Sequence, residues 1–255
     1  MKIALISDIH LEFYRDAHQL PQLIIPEPVD ILVCAGDLAP GIDGLKWLSQ
    51  SPVPVIYTLG NHEFYDSVYQ QTLEEIRLAV EQYPNITLLE QEFIDIGEVR
   101  FLGAVLWTDF DFYGQAEQSM QAIQGRMNDF ACIEWQDDQD LRPFYPQDSV
   151  EIFQQTLEFY RNNLSTALTN VVISHHLPTP AAVPEQFVGG LLNPAFVSNL
   201  DEFMRQQPIS LWLHGHTHSP VDCWVGQTHV VANPHGYYDA EHDKQAVQAR
   251  VIEVT

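Results

Sequence analysis

Short apolar runs, separated by polar and turn-forming stretches, recur along nearly the whole chain. Runs bounded by Gly, Pro or polar residues in this way are typical of strands that are buried on both faces. The segments that predict strands are residues 2–7, 30–35, 53–58, 86–103 (as several short strands), 170–174, 209–213, 221–225, 228–232 and 246–254. The last three are expected to be antiparallel and to close the fold.

Apolar residues at helical spacing predict helices between several of these strands. The helical segments are 41–50, 67–83, 149–166 and about 195–206. In the second segment Leu73, Ile76 and Val80 share one face, and the pattern ends before Pro84, which cannot continue a helix. Strands that alternate with helices predict an α/β fold with mainly parallel sheets, in which ligands bind at the carboxyl ends of the strands.

Residues 104–146 follow neither the strand nor the helix period. They are rich in acidic and aromatic residues, including Trp107, Phe130 and Phe144. A segment of this length in a compact domain is usually functional or forms small elements of its own. Because no linker or internal repeat divides the chain, we expect one domain over residues 1–255, with residues 104–146 inserted as a lid-like segment. Aromatic residues without interleaved Arg and Lys favour packing over base stacking.

The charge composition restricts the partners that the protein can have. The chain has 255 residues, 45% of them apolar, which is enough for the core of one large domain. Its 35 acidic residues against 11 basic ones give a formal charge of -24. Nucleic-acid binding needs clustered Lys and Arg, and the sequence has no such cluster, so no nucleic acid is expected as a partner. An anionic substrate would need a local positive charge, which bound divalent metal ions would supply.

The cysteines and the apolar runs bear on the location of the protein. Cys34, Cys132 and Cys223 are widely spaced, which favours free thiols over a disulfide framework or a zinc site. The first strand begins at Lys2 and leaves no room for a signal peptide before Asp8. No apolar run reaches the length of about 18 residues that a membrane span needs. These features favour a soluble, cytoplasmic protein with no membrane partner, while the oligomeric state stays open.

Residue types that bind metals follow five of the predicted strands. They occur in Asp8-x-His10, Gly36-Asp37, Gly60-Asn61-His62-Glu63, Ser174-His175-His176 and His214-Gly215-His216-Thr217-His218. These are the positions at which an α/β fold binds its ligands. Oxygen and nitrogen ligands without a thiolate suit Mn, Fe or Zn better than Ca²⁺ or a soft metal.

This ordered set of motifs resembles that of the calcineurin-like metallophosphoesterase superfamily, and the resemblance extends from Asp8 to His218. It implies a four-layer α-β-β-α sandwich, in which two mixed sheets lie between helices and a dinuclear metal site lies at the carboxyl ends of the strands. Residues 233–237, with the sequence Asn-Pro-His-Gly-Tyr, resemble an Asn-Pro-Arg-Gly-Tyr turn of some bacterial members. In this chain His235 replaces the Arg.

The resemblance also implies roles for individual residues. It assigns seven ligands in two sets that share one residue: Asp8, His10, Asp37 and His218 for one divalent ion, and Asp37, Asn61, His175 and His216 for the other. A carboxylate can bridge two cations about 3.5–4 Å apart, which suits Asp37. Asn61 would bind through its carbonyl oxygen without adding charge, so the two cations would keep positive charge for a phosphate.

The predicted activity is hydrolysis of small phosphomonoesters or phosphodiesters, with a metal-bridging hydroxide as the nucleophile. His62 adjoins Asn61 and is predicted to be the general acid that protonates the leaving group. A neighbouring carboxylate such as Asp8 is expected to orient His62. Two alternatives stay open. A non-catalytic metal-binding scaffold would have a site with missing ligands, and every ligand type is present here. A nuclease is opposed by the charge of -24.

Three further histidines have no settled role. His214 is expected to pack at the end of a strand or to orient a ligand. His176 could line the substrate side or satisfy a hydrogen bond, while His175 is the preferred ligand because it directly follows a strand. The role of His235 is open.

Overall fold

The computed structural model describes residues 1–14, 20–138, 140–238 and 246–254. The strands in these ranges are β1 (Lys2–Ile6), β2 (Gln22–Ile24), β3 (Ile31–Ala35), β4 (Val55–Thr58), β5 (Ser67–Val68), β6 (Ile86–Leu88), β7 (Glu92–Ile96), β8 (Val99–Gly103), β9 (Ile133–Asp137), β10 (Asp140–Pro143), β11 (Thr169–Ile173), β12 (Ile209–His214), β13 (Val221–Val225), β14 (Thr228–Ala232), β15 (Ala246–Gln248) and β16 (Arg250–Glu253). The α-helices are α1 (Leu45–Leu48), α2 (Tyr69–Val80), α3 (Ala116–Ile123), α4 (Asp129–Cys132), α5 (Pro146–Asn163) and α6 (Asp201–Gln206).

Two mixed sheets contain most of the strands. The first has the order β16-β1-β3-β4-β6, in which β16 is antiparallel to β1 and all other pairs are parallel. The second has the order β13-β14-β12-β11-β8-β7, in which the pairs at both edges are antiparallel and the inner pairs are parallel. The parallel strands in each sheet end on the same side, so the polar residues that follow them can converge.

The two sheets pack face to face around an apolar core. Ile3 and Leu5 of β1 share one buried cluster with Val171 and Ile173 of β11. The residues between them in β1 belong to a second cluster on the other face of the sheet. Each central strand is therefore apolar on both faces, which is why the sequence shows continuous apolar runs instead of alternation.

Helices cover the outer face of each sheet. Helices α1 and α2 pack against the first sheet through Leu48 and Ile76. Helices α5 and α6 pack through Tyr160 and Met204 against Trp212 of the second sheet. The four-layer α-β-β-α architecture predicted from the motifs is confirmed.

Residues 104–146 contain α3, α4 and the hairpin of β9 and β10. The aromatic side chains of the segment pack inward: the ring centroids of Trp107 and Phe144 lie 4.7 Å apart, and the Phe144 ring stacks on Tyr69 of α2 at 5.8 Å. Strand β9 also pairs with β5, which comes from the first half of the chain. The segment is therefore anchored by buried aromatic contacts, in agreement with the prediction that its aromatic residues pack.

The helix predicted at about 195–206 is shorter than expected. Residues Asn193–Ala195 form a 3-10 turn, and α6 begins only at Asp201. The Asn199 side chain accepts a hydrogen bond from the Asp201 N–H at 3.3 Å, a local bond that competes with helix formation before residue 201.

Strands β2, β5, β9 and β10 were not predicted. Strands β2 and β5 have only three and two residues, and their pairing partners are remote in sequence. No helix within the described ranges is long and apolar enough to cross a membrane.

Candidate metal centre

The predicted metal ligands all lie at the carboxyl ends of strands in the two central sheets. They are Asp8 and His10 after β1, Asp37 after β3, Asn61 after β4, His175 after β11, and His216 and His218 after β12. Backbone hydrogen bonds join the strand ends, including His10 N to Asp37 O at 3.0 Å and Gly215 N to His175 O at 3.1 Å. The structure therefore brings together every residue that was predicted to bind metal.

The side chains of Asp8, His10 and His218 form a first group. His10 Nε2 lies 2.9 Å from His218 Nε2, and His218 Nε2 lies 3.5 Å from Asp8 Oδ1. One potential ligand atom of each residue lies within 4.8 Å of the others, close enough for one cation to contact all three. These are three of the four residues assigned to the first ion; the fourth is Asp37.

Asp37, His175 and His216 form a second group. His175 Nε2 lies 3.1 Å from His216 Nδ1 and 3.2 Å from Asp37 Oδ2. The same Asp37 oxygen lies 3.6 Å from His10 Nε2 of the first group. Asp37 therefore lies between the two groups, where a bridging carboxylate is needed.

The side-chain carbonyl oxygen of Asn61 is a further potential ligand atom for a metal ion. Its amide nitrogen donates to Asp129 Oδ1 at 2.8 Å and to the Tyr65 hydroxyl at 3.1 Å. Asn61 Oδ1 is buried and has no hydrogen-bond partner among the described residues. A buried polar atom without a partner destabilises the fold unless it accepts a hydrogen bond or binds a cation. A divalent cation fits this oxygen and the neighbouring carboxylates and imidazoles, because the donor set contains no thiolate.

Five of the seven predicted ligands have a left-handed backbone, which sequence reasoning did not anticipate. The φ angles are 55° at Asp8, 52° at His10, 54° at Asp37, 79° at His216 and 49° at His218. Asp and His tolerate this region better than β-branched residues, but each instance still costs of order 1 kcal/mol or more. Such strained positions cluster at functional sites.

Two glycines let the strand ends approach the ligands. A Cβ atom at Gly60 would lie 2.1 Å from Asp37 Oδ1, and one at Gly215 would lie 2.6 Å from Asp8 Oδ2. Any larger residue at either position would displace the carboxylate of a predicted ligand.

Glu63 ties the ends of β3 and β4 together. Its buried carboxylate accepts hydrogen bonds from the backbone N–H groups of Gly60, Asp37 and Leu38 at 2.7, 3.1 and 2.7 Å, and from the Tyr57 hydroxyl at 2.7 Å. Burial and the nearby Asp37 charge raise the pKa of Glu63, while the Tyr57 and Leu38 donors oppose that rise. Sequence reasoning gave Glu63 no role beyond membership of its motif.

Glu12 holds the His62 ring. Its Oε1 atom accepts a hydrogen bond from His62 Nδ1 at 2.9 Å and lies 3.2 Å from His10 Nδ1. Burial lowers the pKa of His62, but the charges of Asp37 and Glu12 outweigh burial and raise it to about 9. The expectation that Asp8 orients His62 is wrong: the Asp8 carboxylate accepts the His216 backbone N–H at 2.8 Å.

A profile of the calcineurin-like phosphoesterase family matches residues 1–220 of the chain. The chain belongs to this family. The resemblance drawn from the five motifs is thus confirmed, and the metal-ligand groups lie within the matched region.

One sequence relative and two solved structures are similar to this chain. An uncharacterized protein of Acanthamoeba polyphaga mimivirus is 25% identical over 257 residues, which cover 91% of this chain and 90% of the viral protein. The structure of phosphopantetheinyl hydrolase from Mycobacterium tuberculosis superposes with a TM-score of 0.72 at 18% identity, covering 92% and 89% of the two chains. The protein TT1561 of Thermus thermophilus superposes with a TM-score of 0.50 at 13% identity, covering 91% and 88%. At these identities the two structures show a common fold.

The histidines that had no settled role pack around the site of this family member. Neither ring nitrogen of His176 has a partner among the described residues, and its ring centroid lies 4.2 Å from that of His216 and 5.1 Å from that of Trp107. Burial lowers the pKa of His176 to about 3 and that of His214 to about 4, so both rings are neutral. His235 Nε2 lies 2.9 Å from the Tyr14 hydroxyl.

Proposed function

We propose that the chain hydrolyses small phosphoesters, either monoesters or diesters, with two divalent ions of Mn, Fe or Zn. The observation that carries this proposal is the position of Asp37 Oδ2, which lies 3.2 Å from His175 Nε2 and 3.6 Å from His10 Nε2 and so joins the two ligand groups. When bound, two divalent ions polarise phosphoryl oxygens and lower the pKa of coordinated water.

The predicted ligands fall into two sets, one for each ion. Asp8, His10 and His218 would hold one ion, Asn61, His175 and His216 would hold the other, and Asp37 could serve both. The Asp37 charge raises the pKa of the buried His175, and imidazole binds a metal only in its neutral form, so metal binding would release a proton from His175.

His62 is the proton donor to the leaving oxygen. It lines the cavity beside Asp37 and Asn61, and Glu12 holds its Nδ1, so Nε2 is the nitrogen that can serve the substrate. The geometry also permits another role, because ligand atoms of His62, His10 and Asp37 lie within 4.8 Å of one another. A test of His62 must therefore separate proton donation from metal binding.

The test of the proposed function is a panel of phosphomonoesters, phosphodiesters and nucleotides, assayed after loading with Mn²⁺, Fe²⁺ or Zn²⁺. We expect the metal-loaded protein to hydrolyse small esters. A chelator should abolish this activity, and the Asp37→Ala variant should lack it. Asp43→Ala, which changes an exposed carboxylate, is the matched control and should retain activity. No turnover with any metal would contradict the proposal, and loss of DNA by the wild type but not by Asp37→Ala would favour a nuclease.

A second comparison isolates His62. His62→Ala should keep the metals and lose about 10²–10⁴ in rate on alkyl phosphates, the usual range for a general acid. The loss should be much smaller for nitrophenyl phosphate, because nitrophenolate needs little protonation. An equal loss on both substrates, or loss of a metal, would show that His62 is a ligand or a structural residue.

A further inference from the structure

The cavity beside the metal-ligand groups is larger than a phosphate requires. Its volume is about 780 Å³, and its wall includes Asp37, Asn61, His62 and His216. This volume falls in the range of sites for drug-sized ligands, about 300–1,000 Å³. A phosphate group would therefore fill only part of this cavity.

Much of the remaining wall is apolar and belongs to the loop between β11 and α6. Leu177, Val183, Phe187, Leu191 and Phe196 line the cavity. The ring centroid of Phe196 lies 4.6 Å from that of the predicted ligand His216. The apolar surface therefore begins directly beside the metal-ligand groups.

The wall also carries few charges. Among the lining residues, all from the described part of the chain, Asp37 is the only carboxylate and Arg126 the only Lys or Arg. The chain as a whole has 35 acidic residues. A strongly hydroxylated or charged group placed against the apolar part of this wall would lose hydration without finding matching partners.

The loop that forms the apolar wall is held by specific hydrogen bonds. The buried Asn193 amide donates to Phe187 O at 2.8 Å and to the Tyr113 hydroxyl at 3.1 Å. The Tyr113 hydroxyl in turn donates to Gly190 O at 3.0 Å. These bonds hold Phe187 and Leu191 at the cavity although their side chains are 49% and 55% exposed. A wall ordered before binding loses less entropy when a ligand docks.

We infer that the alcohol part of the substrate is an extended, predominantly apolar group that docks against the wall formed by Leu177, Val183, Phe187, Leu191 and Phe196. The inference rests on the proposed phosphoesterase function for the phosphate end of the substrate. It adds a substrate preference that the metal centre alone would not create, because bound ions would act on the phosphate and not on the alcohol part.

The test uses esters of primary alcohols, whose leaving groups differ little in basicity. Along the series ethyl, pentyl and heptyl phosphate, kcat/KM should rise about two- to fourfold per methylene, the factor expected for burial of one CH₂ group. A stricter comparator is 2-(2-methoxyethoxy)ethyl phosphate, which has the length of heptyl phosphate but two ether oxygens. Its kcat/KM should be at least about tenfold lower, although its alcohol is the better leaving group.

Substitutions in the loop between β11 and α6 test whether its side chains create the preference for apolar alcohol groups. Leu191→Ser and Phe187→Ser should each reduce the ratio of heptyl to ethyl phosphate turnover by about three- to tenfold. Val188→Ser is the matched control, because Val188 is 72% exposed and is not part of the cavity wall. The heptyl-to-ethyl ratio in that variant should equal the ratio in the wild type.

A binding measurement separates failure of this inference from failure of the proposed function. Calorimetric titration of the Mn²⁺-loaded protein should show that heptylphosphonate binds more tightly than ethylphosphonate, by about two- to fourfold per methylene. This result is expected whether or not the protein hydrolyses esters. Turnover of small esters with a flat chain-length series, or equal binding of the two phosphonates, would overturn the inference and leave the phosphoesterase function intact. Tighter heptylphosphonate binding without turnover of any ester would instead contradict the phosphoesterase function.

Discussion

The Oε1 atom of Glu12 lies 2.9 Å from His62 Nδ1 and thereby fixes the ring of the proposed general acid. The same oxygen lies 3.2 Å from Nδ1 of His10, a predicted metal ligand. Burial raises the pKa of Glu12, but hydrogen bonds from His10 and His62 outweigh burial and lower it, so Glu12 stays ionised. One carboxylate thus contacts both the proposed proton donor and a predicted ligand of the first ion.

Glu12→Gln should weaken proton donation while preserving the fold, because Glu12 is partly exposed and Gln has the same shape. We expect kcat on alkyl phosphates to fall about 10–100-fold, the usual effect of removing a group that orients a ligand or base. The loss should shrink for nitrophenyl phosphate. Glu27→Gln, which changes a carboxylate paired with Lys2 near the surface, serves as the control. Equal losses on both substrates would contradict this role of Glu12.

Asp129 should control metal affinity through Asn61. Its Oδ1 atom accepts hydrogen bonds from Asn61 Nδ2 at 2.8 Å and from the Tyr65 hydroxyl at 2.7 Å. Without Asp129 the Asn61 amide can rotate and withdraw its carbonyl oxygen. Asp129→Ala should therefore weaken metal binding about 10–100-fold in a calorimetric titration.

Two further variants make this prediction specific. Asp129→Asn retains an acceptor oxygen and should recover most of the affinity. Tyr65→Phe removes one donor but leaves the bond between Asp129 and Asn61, so its loss should be smaller than that of Asp129→Ala. Metal binding by Asp129→Ala at the affinity of the wild type would contradict the role assigned to Asp129.

Glu90 should make stability depend on pH near neutrality. Its buried carboxyl group interacts with the Val105 N–H at 2.8 Å, and burial raises its pKa from 4.5 to about 8. Between these two values the folded protein keeps a proton that the unfolded chain releases. The stabilising contribution is therefore complete below about pH 4.5 and is lost as the pH rises towards 8.

The measurement for Glu90 is the free energy of unfolding by denaturant at several pH values from 5.5 to 7.5 in ~1-unit steps, chosen within that window. Glu90→Gln should remove a slope of up to about 1.4 kcal/mol per pH unit, the limit for one proton. Glu98→Gln alters an exposed carboxylate in the turn between β7 and β8 and should keep the slope of the wild type. The same slope in Glu90→Gln and in the wild type would contradict the prediction.

The predicted ligands could be named from the sequence because each follows an apolar strand within a few residues and because their order resembles that of the family motifs. Asp8, Asp37 and His175 needed no knowledge of tertiary contacts, since the parallel order of the strands brings their ends together. The same runs predicted an α/β fold with parallel sheets, and the four layers followed from the family resemblance. The distances that relate Asp37 to both ligand groups required the structure.

Glu12 and Asp129 could not be identified in this way. Glu12 lies in a 3-10 turn, 50 positions from the His62 ring that it holds. Asp129 lies in the aperiodic segment 104–146, 68 positions from Asn61. Nothing local to either residue indicates its partner. The left-handed conformations of the ligands are likewise set by tertiary hydrogen bonds such as His10 N to Asp37 O.

The metal content of the loaded protein tests the central claim most directly. After loading with Mn²⁺ or Zn²⁺ and removal of free metal, elemental analysis should find about two ions per chain in the wild type, the content of a two-metal site. Asp37→Ala should lose both, because it removes the carboxylate between the two ligand groups, and Asp43→Ala should keep both. A wild type that retains no metal, or an Asp37→Ala variant that retains two ions, would contradict a dinuclear centre bridged by Asp37.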